Sequence, residues 1–343
     1  MTDDTRGAMS LLTAQGVSKH FPGPRGSSKI VKAVDNVFLN LHQGETLGLV
    51  GESGCGKTTL GRCLVRAYEP TSGEIRYRRV DQREVDISYL SKRELRPYRK
   101  ELRMIFQDPY SSLNPRMTVL DIVGEPLRIH GVARGKELEE RVARVLERVG
   151  LRAEYMRRYP HAFSGGQRQR IGIARALILD PRVIIADEAV SALDVSVRAQ
   201  ILKLFQSLRT EFNLTYLFIS HDLSVVEYVA DRVAVMYVGR MVEIARTEDL
   251  YTQPLHPYTE ALLSAVPRPD PRRKSRRILL EGDVPDPSNP PTGCYFHPRC
   301  RYRQEQCASD APALRDLGNG RYVACHYAEA LALSGVDSVL RAE

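Results

Sequence analysis

The chain has 343 residues, 43% of them hydrophobic and 27% charged, which is typical of a soluble globular protein of about two domains. It contains no run of about 18 apolar residues and begins with the polar stretch Met-Thr-Asp-Asp. We therefore expect neither a transmembrane helix nor a signal peptide, and predict a cytoplasmic protein. The net charge of +8 fits nucleic acid, a membrane surface or a solvated basic surface, and does not separate these classes.

Antiparallel strands are predicted for residues 11–45, where apolar and polar residues alternate. Phe21 lies upstream of most of this alternation. Its ring is either a platform for an adenine base or part of the hydrophobic core, and the sequence leaves both options open.

A phosphate-binding loop is predicted at residues 51–58, which fit the pattern G-x-x-x-x-G-K-[ST]. An apolar strand, residues 46–50, precedes the loop and a helix follows it, so backbone N–H groups and the helix dipole would meet phosphate oxygens. Lys57 would reach the β- and γ-phosphates, and the Thr58 hydroxyl would ligate Mg²⁺. The candidate nucleotide-binding residues of this stretch are Gly51, Glu52, Ser53, Gly54, Cys55, Gly56, Lys57, Thr58 and Thr59.

Gln107 follows the apolar triplet Met-Ile-Phe, which predicts a strand ending at Phe106. A glutamine at a strand end can sense both Mg²⁺ and the attacking water; the alternative is an exposed loop residue. Residues from about 111 to 162 form a predicted helical insertion, because apolar side chains between Leu138 and Val149 recur at helical spacing.

A second anion site is predicted at residues 163–167, Phe-Ser-Gly-Gly-Gln, which open a helix over residues 171–177. More than 100 residues separate this helix start from the phosphate loop. A single site cannot obviously use both, whereas two chains that face each other can.

Two carboxylates, Asp187 and Glu188, end an apolar strand that begins at Val183. Asp187 fits the acid on the Mg²⁺ side of a phosphate-loop ATPase. Glu188 is expected to point the other way along the pleat and to polarise a water for attack on the γ-phosphate. A loop at residues 191–194 and a helix as far as Leu208 are predicted to follow.

His221 follows another apolar strand, residues 216–219, and is predicted to contact the γ-phosphate rather than to play a structural role. A hairpin is predicted over residues 232–244, centred near Gly239. The composition changes after Thr252, where we expect the ATPase domain to end, and a proline- and arginine-rich stretch, residues 267–291, is predicted to be a solvated linker.

Four cysteines in the tail, Cys294, Cys300, Cys307 and Cys325, have the spacing C-x₅-C-x₆-C-x₁₇-C. In a cytoplasmic protein such a concentration favours a metal site over disulfides. The absence of a C-x₂-C pair is unusual for zinc, and an iron–sulfur cluster accepts varied spacings. Four free buried thiols remain a further possibility. Cys55 and Cys63 are better explained as packing residues.

In order and spacing these motifs together resemble the ATP-binding cassette of ABC transporters, over roughly residues 11–250. The resemblance implies an α/β fold: a phosphate-loop NTPase core with a mostly parallel mixed sheet, an antiparallel β subdomain, an inserted helical subdomain and a small C-terminal cysteine-containing domain. It also implies that two cassettes pair head to tail, with ATP between the phosphate loop of one and residues 163–167, the signature, of the other.

The resemblance assigns a role to each motif. It makes Glu188, His221, Gln107 and Lys57 the catalytic candidates, with Mg²⁺ held by Thr58, Gln107 and Asp187. Phe21 would stack on adenine, and Gln107 would face the membrane subunit. Four signature residues and the residue that ends the 191–194 loop complete the set of nucleotide contacts: Ser164, Gly165, Gly166, Gln167 and Asp194. The sequence departs from the family at Phe163, where leucine is usual, and at Ala189, where proline is usual.

The likeness is greatest to the ATPases of peptide importers (dipeptide, oligopeptide and nickel-related). The stretches that carry it are residues 106–115, 192–196, 256–259 and 293–300. Some such importers carry a four-iron four-sulfur (4Fe-4S) cluster in this tail, which favours the cluster over zinc at the four cysteines.

The sequence therefore predicts an ATPase domain at residues 1–252 and a tail domain at residues 253–343. The expected partners are a second cassette in a heterodimer, two membrane permease subunits and, indirectly, an extracytoplasmic solute-binding protein, at the cytoplasmic face of the membrane. The rival is a soluble cassette ATPase of DNA repair or translation. Only about 100 residues separate phosphate loop and signature, without sustained heptads, and one cassette is present, which disfavours that rival and any nucleic-acid partner.

Overall fold

A computed structural model describes residues 9–23, 29–108, 112–266 and 277–336 of the chain. These residues belong to two compact units, which are treated separately below. The first unit comprises the described residues of 1–42, 46–89 and 220–343, and the second comprises those of 43–45 and 90–219.

The strands of the described residues, in chain order, are β1 Ser10–Pro22, β2 Ile30–His42, β3 Thr46–Val50, β4 Ser72–Arg78, β5 Glu84–Asp86, β6 Leu102–Ile105, β7 Val183–Asp187, β8 Thr215–Ile219, β9 Arg232–Tyr237, β10 Arg240–Arg246, β11 Arg315–Asp316 and β12 Tyr322–Val323.

The α-helices are α1 Lys57–Leu64, α2 Tyr98–Glu101, α3 Val119–His130, α4 Gly135–Arg148, α5 Gly165–Leu177, α6 Val195–Phe212, α7 Leu223–Val229, α8 Thr247–Thr252, α9 Pro257–Ser264 and α10 Glu305–Ser309. Short 3₁₀ helices cover Ala153–Arg157, Pro160–Ala162 and His297–Arg299. None of the helices in the described ranges has the length and apolar character needed to cross a bilayer.

The first unit contains an antiparallel sheet in the order β2-β1-β4-β5, which matches the antiparallel strands predicted from residues 11–45. Its other strands lie in the order β11-β12-β10-β9-β3, where β3 and β9 are parallel and β9 and β10 form the predicted hairpin. All five residues of β3 are buried, as expected for a parallel strand in the interior of an α/β protein.

The second unit contains the parallel strands β8-β7-β6, of which β7 and β8 are buried along their whole length. The amphipathic helix predicted from apolar spacing is α4, which buries Leu138, Val142, Val145 and Leu146. The helical insertion thus contains α3, α4 and two 3₁₀ turns. The start predicted for it, residue 111, lies outside the described residues.

Several element ends differ from the sequence-based prediction: the helix predicted over residues 171–177 begins at Gly165, and the hairpin predicted to end at residue 244 continues to Arg246. The strand before Gln107 ends at Ile105 rather than at Phe106, whose side chain is exposed. The helix predicted to end at Leu208 continues to Phe212, where Asn213 ends it in the left-handed conformation, at φ 50°. Apolar periodicity does not mark that last turn, because helix α6 is amphipathic only over its buried residues Ile201 to Leu208.

The described part of the tail joins the first unit through β10. Strand β12 pairs with β10, with Glu243 opposite Val323 and Ile244 opposite Tyr322. The buried Glu243 carboxylate accepts hydrogen bonds from the backbone N–H groups of Leu255 and His256, and burial raises its pKa to about 7. The linker predicted at residues 267–291 falls partly outside the described residues.

Candidate functional site

The predicted phosphate loop lies where the sequence places it, between the end of β3 and the start of α1. Gly51 and Gly56 have φ angles of 150° and 107°, and a Cβ at either position would overlap a backbone carbonyl oxygen, that of Met236 or of Ala33. Glycine is therefore required at both positions, since any side chain would push the loop off the neighbouring backbone.

The inner side of the loop suits an anion. Lys57 is buried and its Nζ donates to the carbonyl oxygens of Gly51 and Glu52, at 2.8 and 2.9 Å. Beyond its two chain neighbours, no atom of the described residues lies within 4 Å of the position that a Cβ on Gly54 would take. Gly56, the N-cap residue of α1, makes no side-chain hydrogen bond to the first N–H groups of the helix. A helix start of this kind with a lysine beside it fits phosphate groups, so the loop satisfies the requirements of ATP.

Two tail residues, Tyr258 and Arg299, hold Glu52 of the loop, and no role was predicted for either side chain. The Glu52 backbone N–H donates to the Tyr258 hydroxyl at 2.8 Å. The Arg299 guanidinium donates to both carboxylate oxygens of Glu52, at 2.8 and 3.1 Å. More than 200 residues separate the partners in each pair, and no local pattern marks such a contact.

His221 and Phe21 belong to the same unit as the phosphate loop. The backbone N–H of Ser220, the residue before His221, donates to the backbone carbonyl of Leu49 in β3. Leu49 lies two residues before Gly51, and the His221 side chain is exposed. The Phe21 ring is half-buried and contacts Tyr68 edge to face, with the Lys19 ammonium 5.1 Å from the ring centroid.

In the second unit, Gln107 and Glu188 are brought together. The Gln107 Nε2 donates to a Glu188 carboxylate oxygen at 2.7 Å, although 81 residues separate the two. Asp187 is buried at the end of β7, and Ala189 after the pair is buried as well.

The expected pleat alternation at Glu188 is wrong. Strand β7 ends at Asp187, and Glu188 takes the left-handed conformation at φ 46°, with its N–H bonded to the carbonyl of Ile219 in β8. A left-handed turn, rather than strand alternation, directs its carboxylate toward Gln107. Non-glycine residues in this conformation are strained and are found disproportionately at functional sites.

The signature residues begin α5 as predicted. Ser164 is the N-cap and forms a capping box, in which its Oγ accepts from the Gln167 N–H and the Gln167 side chain accepts from the Ser164 N–H. Ser164 is exposed, Gly165 half-buried and Gly166 buried. A Cβ on Gly166 would collide with the side chain of Val197 in α6, so the close approach of α5 and α6 requires glycine there.

Asp194 caps the neighbouring helix α6. Its carboxylate accepts hydrogen bonds from the Val197 N–H and the Ser196 hydroxyl, both at 2.9 Å. These hydrogen bonds, the one from the Val197 backbone first, lower the Asp194 pKa. Val195 beside it is 80% exposed, so the signature and the loop at residues 191–194 present a solvent-accessible surface to a partner.

The four tail cysteines line one small cavity, together with His256, His297 and His326. Burial raises the pKa of Cys294 to about 12 and that of Cys300 to about 11. Within the described residues, however, no group of three or more His, Cys, Asp or Glu side chains is arranged to hold a metal ion. The four cysteines therefore share a cavity, but the described residues do not show the metal site that the sequence predicts. Cys55 and Cys63 are buried packing residues, as predicted.

A phosphate loop between a buried strand and a helix, with a strand-end carboxylate pair in an α/β fold, defines a phosphate-loop ATPase. The chain belongs to the ATP-binding proteins of the ABC transporters: the family model "ABC transporter" matches residues 34–191, and the model "Oligopeptide/dipeptide transporter, C-terminal region" matches residues 242–307. It therefore hydrolyses ATP, and ATP and Mg²⁺ are its expected ligands.

Curated relatives match nearly the whole chain. The oligopeptide transport ATP-binding protein AppF of Bacillus subtilis (strain 168) is 52% identical over 324 residues, covering 92% of this chain and 97% of the relative. The dipeptide transport ATP-binding protein DppF of Haemophilus influenzae is 50% identical over 330 residues, covering 95% and 99%.

A solved structure gives the same fold. The dimeric bacterial ABC transporter cassette MJ0796 is 29% identical and superposes with a TM-score of 0.60, over 69% of this chain and 98% of its own. The fold predicted from the sequence is thus confirmed.

Proposed function

We propose that this ATPase powers an importer for peptides of the dipeptide and oligopeptide class. The observation that carries the proposal is the match of residues 242–307 to the C-terminal region of oligopeptide/dipeptide transporters, beside an intact cassette. The names of the relatives support the same substrate class, since they are oligopeptide and dipeptide transport proteins. They do not favour the rival role in DNA repair or translation.

In the proposed reaction a water oxygen forms a bond to the γ-phosphorus of ATP while the bond to the leaving ADP oxygen breaks. Glu188 takes the proton of the water, and Gln107, which donates to the Glu188 carboxylate, orients it. Lys57 and His221 stabilise charge on the β- and γ-phosphate oxygens. The bound Mg²⁺ would supply further charge neutralisation, with the Thr58 hydroxyl and the Asp187 carboxylate as oxygen ligands and Gln107 beside them.

We further propose that this cassette works in a heterodimer, in which Ser164 and Gly166 contact the ATP bound by the partner. The exposed signature end of α5 supports a partner at this surface, and the similar cassette MJ0796 is dimeric. Two permease subunits would anchor the pair at the cytoplasmic face of the membrane, and a solute-binding protein would deliver the peptide. Residues 1–252 would form the ATPase domain and residues 253–343 the tail domain.

Purification of the tagged chain from gently solubilised membranes tests this function. We expect polytopic membrane proteins and a second cassette to co-purify, and peptides delivered by the solute-binding protein to stimulate ATP hydrolysis in reconstituted vesicles. A Lys57→Ala chain should assemble equally well but give no stimulation. Recovery of nucleic acid or ribosomes in place of membrane proteins would favour the rival.

For the tail we propose that Cys294, Cys300, Cys307 and Cys325 bind a 4Fe-4S cluster, with zinc as the alternative. The support is that all four thiols line one cavity in the described part of the tail. Four thiolates are the ligand set of such a cluster. Burial raises the pKa of Cys294 and of Cys300, so a positively charged centre would favour their thiolate forms.

Anaerobically purified protein should then be brown, absorb broadly near about 400 nm and contain about four irons per chain. Cys307→Ser should lower the iron content, while Cys63→Ala, which removes a buried thiol outside the tail, should not. A colourless protein with about one zinc per chain would reject the cluster but keep the metal site. Protein without metal would reject both.

A further inference from the structure

We infer that Arg299 is a positioning residue for ATP, which acts through Glu52 and thereby joins the cysteine segment, residues 294–300, to the phosphate loop. The inference rests on the proposed function, because it assumes that ATP binds at the loop. The loop motif makes Glu52 a candidate nucleotide contact but gives its side chain no role, because Glu52 occupies a variable position of the pattern. No motif assigns a role to Arg299, which lies between two candidate metal ligands.

The contact has the geometry of a specific ion pair. Two Arg299 nitrogens donate to the two Glu52 carboxylate oxygens, and one of them also lies 3.3 Å from the Tyr237 hydroxyl. The Arg299 side chain is 7% exposed and that of Glu52 is 26% exposed. A bidentate pair of this kind fixes orientation as well as distance, and removing either partner leaves the other charge partly screened from water without its counter-charge.

Glu52 passes this restraint to the lysine that meets the phosphates. Its backbone carbonyl accepts a hydrogen bond from Lys57 Nζ, and its backbone N–H donates to Tyr258, whose ring packs against Phe296 of the cysteine segment. Release of the Glu52 side chain would loosen an anchor of Lys57. The β- and γ-phosphates would then meet a less ordered loop, at a cost in affinity.

The cysteine segment is held at a second point as well. The Tyr295 hydroxyl donates to Asp35 in β2, and the Arg240 guanidinium donates to the same carboxylate oxygen. The segment is thus fixed at both ends to the first unit. A change that orders or disorders the cysteine segment would therefore alter the phosphate loop through Arg299. Because coupling between two sites acts equally in both directions, nucleotide binding should also stabilise the segment.

Titration of the full chain with a fluorescent ATP analogue and Mg²⁺ tests the inference. Arg299→Met should raise the dissociation constant by about tenfold, because the half-buried Glu52 carboxylate loses both of its hydrogen bonds from the guanidinium and no longer holds the loop. The dissociation constant of Arg299→Lys should lie between those of Arg299→Met and the wild type, because lysine keeps the charge but cannot make the two parallel hydrogen bonds of a guanidinium. The matched control is Arg303→Met, since Arg303 is exposed, carries the same charge and donates from its guanidinium to the Pro298 carbonyl at 3.5 Å, without a contact to the loop in the described residues.

A double-mutant cycle separates positioning from general destabilisation. If the two side chains act together, Glu52→Gln should weaken binding, and the Glu52→Gln, Arg299→Met double variant should bind no worse than Arg299→Met alone. Bound analogue should slow amide hydrogen exchange over residues 294–300 in the wild type but not in Glu52→Gln.

Additive effects in the cycle, or an Arg299→Met chain that binds the analogue within about twofold of the wild type, would overturn the inference. Lys57→Ala distinguishes this failure from failure of the proposed function. If the wild type binds ATP and Lys57→Ala does not, the ATP site stands whatever Arg299 does. If the wild type itself does not bind ATP, the proposed function fails.

Discussion

Glu188→Gln should lower ATP turnover by about 10²–10⁴-fold while ATP binding persists, because glutamine keeps the shape of the side chain but cannot accept the proton of the attacking water. The left-handed backbone at Glu188 and the 2.7 Å hydrogen bond from Gln107 hold the carboxylate in one orientation. Glutamine also retains an oxygen that can accept this hydrogen bond. The variant should therefore accumulate as an ATP-bound closed dimer.

Phosphate release at steady state and titration with an ATP analogue measure the two effects separately. Glu211→Gln is the matched control, since it makes the same change at a carboxylate of α6 that pairs with Arg148 on the surface. Turnover of the Glu188→Gln chain within about threefold of the wild type would show that another group is the base, because a general base contributes far more than that.

The isolated subunit should hydrolyse ATP slowly at low concentration and speed up as a partner cassette is added. Each ATP would need a signature from the facing chain, and loss of a preorganised donor set of this kind costs about 10²–10³-fold in rate. In this chain Ser164 is exposed at the start of α5, and its N–H and Oγ are already engaged with Gln167, which leaves the hydroxyl proton for a partner's phosphate.

Specific activity against protein concentration is the measurement, made with and without the partner cassette. Ser164→Ala should bind ATP as well as the wild type, because its own phosphate loop is intact, yet it should stimulate a partner poorly. A monomer that works at the full rate, independent of its concentration, would be incompatible with a shared site.

The motifs were predictable because their signals are local. A buried strand, a glycine loop and a helix start occupy consecutive residues at 46–64, and the predicted helix start at 163–167 is likewise five consecutive residues. The turn at Glu188 was not predictable, since the two carboxylates after the apolar run fit a continued strand as well as a turn, and no glycine or asparagine marks a left-handed residue.

Contacts across the chain were also beyond reach of local patterns. Arg299 and Glu52 are 247 residues apart, and only the fold brings them together. The convergence of four cysteines was anticipated because their residue type is rare and concentrated, whereas an arginine among many in a basic chain carries no comparable signal.

The pairing of β12 with β10 has a consequence for solubility. Strand β10 offers one row of backbone groups to β9, and the tail covers part of the other row at Glu243 and Ile244, with the Ala324 N–H bonded to the Val242 carbonyl. A row of unpaired backbone N–H and C=O groups at the edge of a sheet can pair with strands of other chains. Because a protein cut after Thr252 would expose this row of β10, we expect the truncated chain to aggregate more readily than the full chain, whether or not the tail cysteines hold a metal.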